Sequence, residues 1–146
     1  MYEHGMIAPV VALVGWSLLV LIWLYFKRIP AMRAAKIRPG EATKVQMEAL
    51  PASVRNPADN YNHLMEQPTL FYAICFALQL MDQANDINIG LAWLYVALRI
   101  VHSLVQGTVN IIILRWLIFV AASIVLGALT FHAALASGIA WFNWPF

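Results

Sequence analysis

Met6 to Phe26, MIAPVVALVGWSLLVLIWLYF, is a run of 21 residues without a charge. At about 1.5 Å per helical residue it covers the roughly 30 Å hydrocarbon core of a bilayer. In lipid such a segment must be helical to satisfy its own backbone. This stretch commits the chain to a membrane. Composition agrees: 62% of the 146 residues are hydrophobic, 11% are charged, and the mean hydropathy is +0.73. A water-soluble domain of this length could not cover so much apolar surface. The run is too long for the apolar core of a secretory signal and leads into basic residues, not a small-residue cleavage site, so it reads as a retained span. Pro9 falls in its first turn, where the missing N–H does no harm. Trp23 and Tyr25 near its end suit an interfacial aromatic belt.

The segment 27–58 is the polar part of the chain. Lys27, Arg28, Arg33, Lys36, Arg38, Lys44 and Arg55 stand there against Glu41 and Glu48. Seven of the nine basic residues therefore lie in one connection, which the positive-inside rule places on the cytoplasmic side. Pro30, Pro39, Pro51 and Pro57 break it into short pieces. Most of its charge reads as a solvated surface facing lipid headgroups. The net charge of +2 is small, and no nucleic-acid partner is expected.

Three further helices follow, giving expected spans at about 6–26, 59–81, 89–106 and 111–136. Asp59 or Asn60 caps the second, with Pro57 as a stop before it. Asp82 to Asn88 carries two acids and no base, which fits the outer side. Gly107 to Asn110 makes a tight turn. The tail holds Trp141, Phe142, Trp144 and Phe146, an aromatic set suited to the outer interface. Four spans put both termini outside. The expected fold is all-α, a single four-helix transmembrane domain.

The polar residues within these spans fall on shared faces. Asp59, Asn62, His63 and Glu66 are spaced i, i+3, i+4 and i+7, and Arg99, His102 and Gln106 are spaced i, i+3 and i+7. Arg115 stands in the first or second turn of the last helix. Helix directions alone bring all of them to the cytoplasmic end. Polar groups gathered at the start of an apolar helix are expected to point into the bundle. A charge near the bilayer centre costs about 2.5–3.5 kcal/mol on insertion scales, which a Glu66–Arg99 pair would offset. Such a pair is sufficient as a structural lock. It leaves Arg115, His102, His63 and the Asn62 and Gln106 amides over, and that surplus of donors suits a bound anion or carboxylate.

Other chemistries find no support. There is no HExxH, no Cys/His pairing and no acidic cluster, so no metal site is expected. There is no phosphate-binding glycine loop and no serine triad signature. Cys75 reads as a small buried hydrophobe, His4 and His132 as unrelated to the cluster, and Tyr61, Tyr72 and Tyr95 as packing or interfacial residues.

DNYNHLMEQPTLFYA, then LRIVHSLVQGTVN, then Arg115, resemble the MAPEG family, membrane-associated proteins in eicosanoid and glutathione metabolism. The motifs cover roughly residues 55–120, and the topology covers the whole chain. The resemblance implies a homotrimer of four-helix protomers with glutathione between adjacent subunits at the cytoplasmic end. By it Arg115 holds the glutathione thiolate, and Glu66, Arg99 and His102 hold or buttress the peptide. The pattern also departs from the family's glutathione users. His63 stands where they usually have asparagine, Asn62 where a basic residue is frequent, and Gln106 where a tyrosine is usual. Trp116 follows the second arginine in place of a serine. Two functions are therefore carried forward. One is a membrane glutathione transferase or peroxidase acting on small lipophilic electrophiles or lipid hydroperoxides. The other is a non-catalytic module on the same scaffold, structural or lipid-binding, in which the polar cluster locks the helices.

Overall fold

A computed structural model describes residues 5–138 of the chain. The described residues are all-helical, with no strand. Among the described residues there are five α-helices, α1 (Ile7–Ala34), α2 (Lys44–Glu48), α3 (Ala52–Leu80), α4 (Asp86–Gly107) and α5 (Ile112–Ala136), of which the short α2 lies in the segment expected as a polar connection. A 3-10 turn, Pro39–Glu41, precedes α2. His4 and the aromatic tail Trp141, Phe142, Trp144 and Phe146 lie outside the described residues.

The helix ends differ from the sequence expectation for local reasons. α1 does not stop where its apolar run stops. It continues through Lys27, Arg28 and Pro30 because leaving lipid removes no hydrogen bond from a helix. It ends at Lys36, whose φ of 55° is left-handed. The Lys36 N–H there donates to the Arg33 carbonyl and the Ile37 N–H to the Met32 carbonyl, the paired bonds of a Schellman cap. Asp82 (φ 56°) closes α3 in the same way. α3 begins at Ala52, behind Pro51, so Pro57 lies inside it with Pro68. α4 begins at Asp86 because the Asn85 side chain accepts from the Asn88 N–H at 3.0 Å, and Asp86 favours the positive end of the helix dipole.

α1, α3, α4 and α5 pack on one another, α1 closely on α3 and α4 closely on α5. The core stripe of α3 runs Asn60, Leu64, Pro68, Phe71, Cys75 and Leu78, spacings of three and four. Phe71 stacks on Tyr95 of α4 with ring centroids 4.4 Å apart. Cys75 is free and fully buried. Trp23 does not face an interface alone: it lies against Gly107, where a Cβ would collide with the indole. That contact requires glycine at the end of α4.

Polar bonds join the helices at three levels. At one end the Met6 N–H donates to Gln79 Oε1 at 3.0 Å, and His132 Nδ1 meets Asn88 Oδ1 at 2.6 Å. In the middle Gln67 of α3 donates to Ser123 Oγ of α5 at 2.8 Å and accepts from the Tyr95 hydroxyl of α4 at 3.2 Å. At the other end Asn60 Nδ2 donates to Ser103 Oγ at 2.6 Å, both residues fully buried. The outer surface is apolar in contrast: Phe26 is 76% exposed, Ile112 75% and Ile124 68%. In water these faces would be a large liability, and in lipid they are not.

α1, α4 and α5 are long and apolar enough to cross a membrane. α3, expected as a span at 59–81, has the length with 29 residues but carries Arg55, Asp59, His63 and Glu66 in its first half. The Asn60–Ser103 bond sets the register of α3 against α4. A double-mutant cycle with Asn60→Ala and Ser103→Ala, read by reversible unfolding in detergent, is expected to return a coupling of about 0.6–1.7 kcal/mol. A coupling of zero would remove this bond from the account.

Candidate functional site

Each candidate residue is placed by a helix end. Asn62, His63 and Glu66 lie in the first half of α3, Arg99, His102 and Gln106 in the last turns of α4, and Arg115 in the first turn of α5. The antiparallel run of α3, α4 and α5 brings these three segments to the same end, as the spacing implied.

The internal geometry differs from the expected one in two respects. First, Glu66 does not pair with Arg99. Arg99 is 1% exposed, and its Nη2 donates to the His63 backbone carbonyl at 2.9 Å. Glu66 turns outward to His63 Nδ1 at 3.3 Å. Second, the polar face of α3 does not point into the core of the chain. Asp59, Asn62 and Glu66 are exposed and His63 is half-buried, while the inward stripe runs through Val54, Pro57, Asn60 and Leu64. The physical reason is shared. A helical spacing says which residues stand together, and the more apolar stripe beside them takes the core.

Arg99 holds the cluster from behind. Its guanidinium carbon lies 6.0 Å from the centre of the Phe119 ring, and its Nε and Nη1 have no hydrogen-bond partner. His102 Nε2 meets Gln106 Oε1 at 3.1 Å. An amide oxygen only accepts, so the proton sits on Nε2 and Nδ1 is left as an acceptor without a partner. The His63 and His102 rings are 6.3 Å apart, edge to face. Arg115 Nη1 donates to Asn110 Oδ1, and Asn110 Nδ2 in turn donates to Asn56 Oδ1 at 3.2 Å. Asn110 sits in the left-handed region, φ 51°, which asparagine tolerates better than most residues. Arg115 Nε is buried and has no partner.

Two grooves open beside this frame. The first, of about 290 Å³, is lined by Asp59, Asn62, His63, Glu66, Gln106 and Arg115. The second, of about 250 Å³, is lined by His102, Ile112, Trp116 and Phe119 together with His63, Glu66 and Arg115. The polar groove and the apolar one thus share His63, Glu66 and Arg115 as a common wall. Six of the seven sequence candidates line one groove or both; Arg99 lines neither and acts through His63 and Phe119.

Sequence reasoning missed the Asn110–Asn56 clamp on Arg115 and the Trp116–Phe119 wall. The turn signal at Gly107 to Asn110 located Asn110 without showing that its side chain reaches Arg115. His132 lies at the far end of the helices, bonded to Asn88, as expected of a residue unrelated to the cluster.

No match is found among curated proteins or among solved structures. A family model, that of the MAPEG family, matches residues 6–135, nearly the whole chain. With three helices able to cross a membrane and a match of that extent, the chain is an integral membrane protein and belongs to the MAPEG family.

Proposed function

We propose that this chain is a membrane glutathione transferase or peroxidase acting on lipophilic electrophiles or lipid hydroperoxides. One observation carries the reading. His63, Glu66 and Arg115 form the wall common to a polar groove and an apolar one. A hydrophilic thiol peptide and a lipophilic partner would meet across that wall. Each groove alone falls just short of the range of about 300–1,000 Å³ usual for small-molecule sites, and the two joined would reach it.

The donor set fits glutathione, which carries two carboxylates and an amine. The Arg115 guanidinium and the Asn62 and Gln106 amides offer donors to carboxylate or sulfur, and Glu66 and Asp59 offer acceptors to the amine. Arg115 places a positive charge beside the groove, which lowers the pKa of a thiol lying against it. The peptide supplies the sulfur nucleophile. The protein holds and orients it at the edge of an apolar groove lined by Trp116 and Phe119. Asn110 keeps the guanidinium turned to that position. Trp116 offers no hydroxyl, so activation rests on the arginine.

The outward polar face of α3 completes the reading. Asp59, Asn62 and Glu66 are exposed on the single chain, and lipid is a costly neighbour for them. A second copy packed there would cover them, consistent with a homotrimer of four-helix protomers in which α3 crosses in the company of the other helices. The basic segment then lies on the cytoplasmic side and both termini outside.

A non-catalytic module is favoured by a different observation: Arg115 is already engaged by Asn110, and Trp116 stands where a hydroxyl would help. Activity separates the two. Purified protein in detergent is assayed with glutathione and either an aromatic halide or a lipid hydroperoxide. Arg115→Ala is expected to lower kcat/KM by about 100-fold, the size of one lost electrostatic donor. It should leave the oligomer mass unchanged by light scattering. Equal turnover in wild type and variant would refute the enzyme reading. For the module, Glu66→Gln and Arg99→Gln should each lower oligomer stability, with no turnover in any form.

A further inference from the structure

A cavity of about 350 Å³ lies between α1, α2 and the start of α3, on the far side of Asp59 and Asn62 from the candidate site. Its floor is apolar: Leu21 and Leu24 of α1, with Leu50 and Val54. Its charged lining is Arg28, Lys44 and Arg55 against the carboxylates Glu48 and Asp59. Lys44 is paired with Glu48 at 3.7 Å, on the surface. The Arg28 and Arg55 side chains have no hydrogen-bond or ion-pair partner among the described residues.

Its depth is set by α1. Leu21 to Tyr25 form the last turns of the uncharged run, and Arg28 stands just beyond it. The cavity therefore straddles the level at which hydrocarbon gives way to headgroups. α2 adds a second observation. It buries no residue of its own, yet it is built with care. Thr43 Oγ1 accepts from the Gln46 N–H at 3.2 Å, and Gln46 Oε1 accepts from the Thr43 N–H at 3.0 Å. This capping box stabilises the first turn of a five-residue helix whose Lys44, Met47 and Glu48 form a wall of the cavity. Core packing does not require α2, and an occupant of the cavity would.

We infer that this cavity binds one anionic phospholipid, its phosphodiester held by Arg28 and Arg55 and an acyl chain lying on Leu21 and Leu24. Guanidinium groups suit phosphate oxygens through paired charge-assisted hydrogen bonds. The apolar floor distinguishes a lipid from a soluble phosphate. Glutathione plays no part in this binding.

The test uses delipidated full-length protein in detergent, titrated with short-chain phosphatidylglycerol, the matching diacylglycerol and inorganic phosphate. Thermal unfolding is the readout, and native mass spectrometry counts retained lipid. Phosphatidylglycerol is expected to raise the melting temperature and the other two to leave it unchanged. Arg28→Gln with Arg55→Gln should weaken lipid binding about 25-fold, about fivefold for each cation removed from the headgroup layer. Leu21→Trp, which keeps every charge, should fill the floor and abolish the shift. An equal shift from diacylglycerol or from inorganic phosphate would overturn the inference. So would undiminished binding in either variant.

Discussion

A guanidinium buried among apolar helices is the constraint on which the rest of this structure turns. Arg99 is 1% exposed, and among the described residues no carboxylate pairs with it. Burying such a charge costs several kcal/mol unless something compensates. The compensation here is partial. One nitrogen reaches the His63 carbonyl, and the face of Phe119 lies near the guanidinium. Those two contacts fix a wall of each groove, since His63 lines both and Phe119 lines the apolar one. The groove walls and part of the unmet hydrogen-bonding capacity at this end of the helices follow from where Arg99 is held.

The helices themselves divide the work. α1, α4 and α5 are apolar enough to cross a membrane, and their outer faces carry the exposed side chains that lipid tolerates. α3 is different. Its second half packs in the core, and its first half carries the candidate residues on the outward side of a buried stripe. Gln67, bonded to both Tyr95 and Ser123, sits where the two halves meet. A bond of this kind between membrane helices contributes only about 0.6 kcal/mol on average, so no single one holds the fold. Three levels of them, spaced along the helices, fix the register in concert.

Much of this was legible in the residues, and the failures have physical causes. The apolar runs located the cores of α1, α4 and α5, because bilayer thickness leaves little freedom. The i, i+3, i+4 and i+7 spacings grouped the candidate residues correctly. They did not say which stripe faced inward. Asn60, which looked only like a cap, lies within the buried stripe, and Glu66 faces out. Charge pairing failed for a related reason: opposite charges at one level need not meet when a backbone carbonyl lies nearer. Pro57 looked like a helix stop, but Pro51 six residues earlier already served as the entry. The capping box of Thr43 and Gln46 could have located α2, since S/T-x-x-E/Q is a readable signal. The Asn110 clamp on Arg115 had no such signal, because it depends on how a turn folds back on the next helix.

We propose that the polar groove at this end is a glutathione site with Arg115 on its wall. Its most direct test is thermal unfolding of the detergent-purified protein with and without saturating glutathione, in wild type and in Arg115→Ala. At about 100 times the dissociation constant, binding adds about 2.7 kcal/mol to stability, which raises the melting temperature measurably. A clear rise in the wild type that is lost or much reduced in the variant is the expected result. No rise in the wild type, or the same rise in both proteins, would contradict the account.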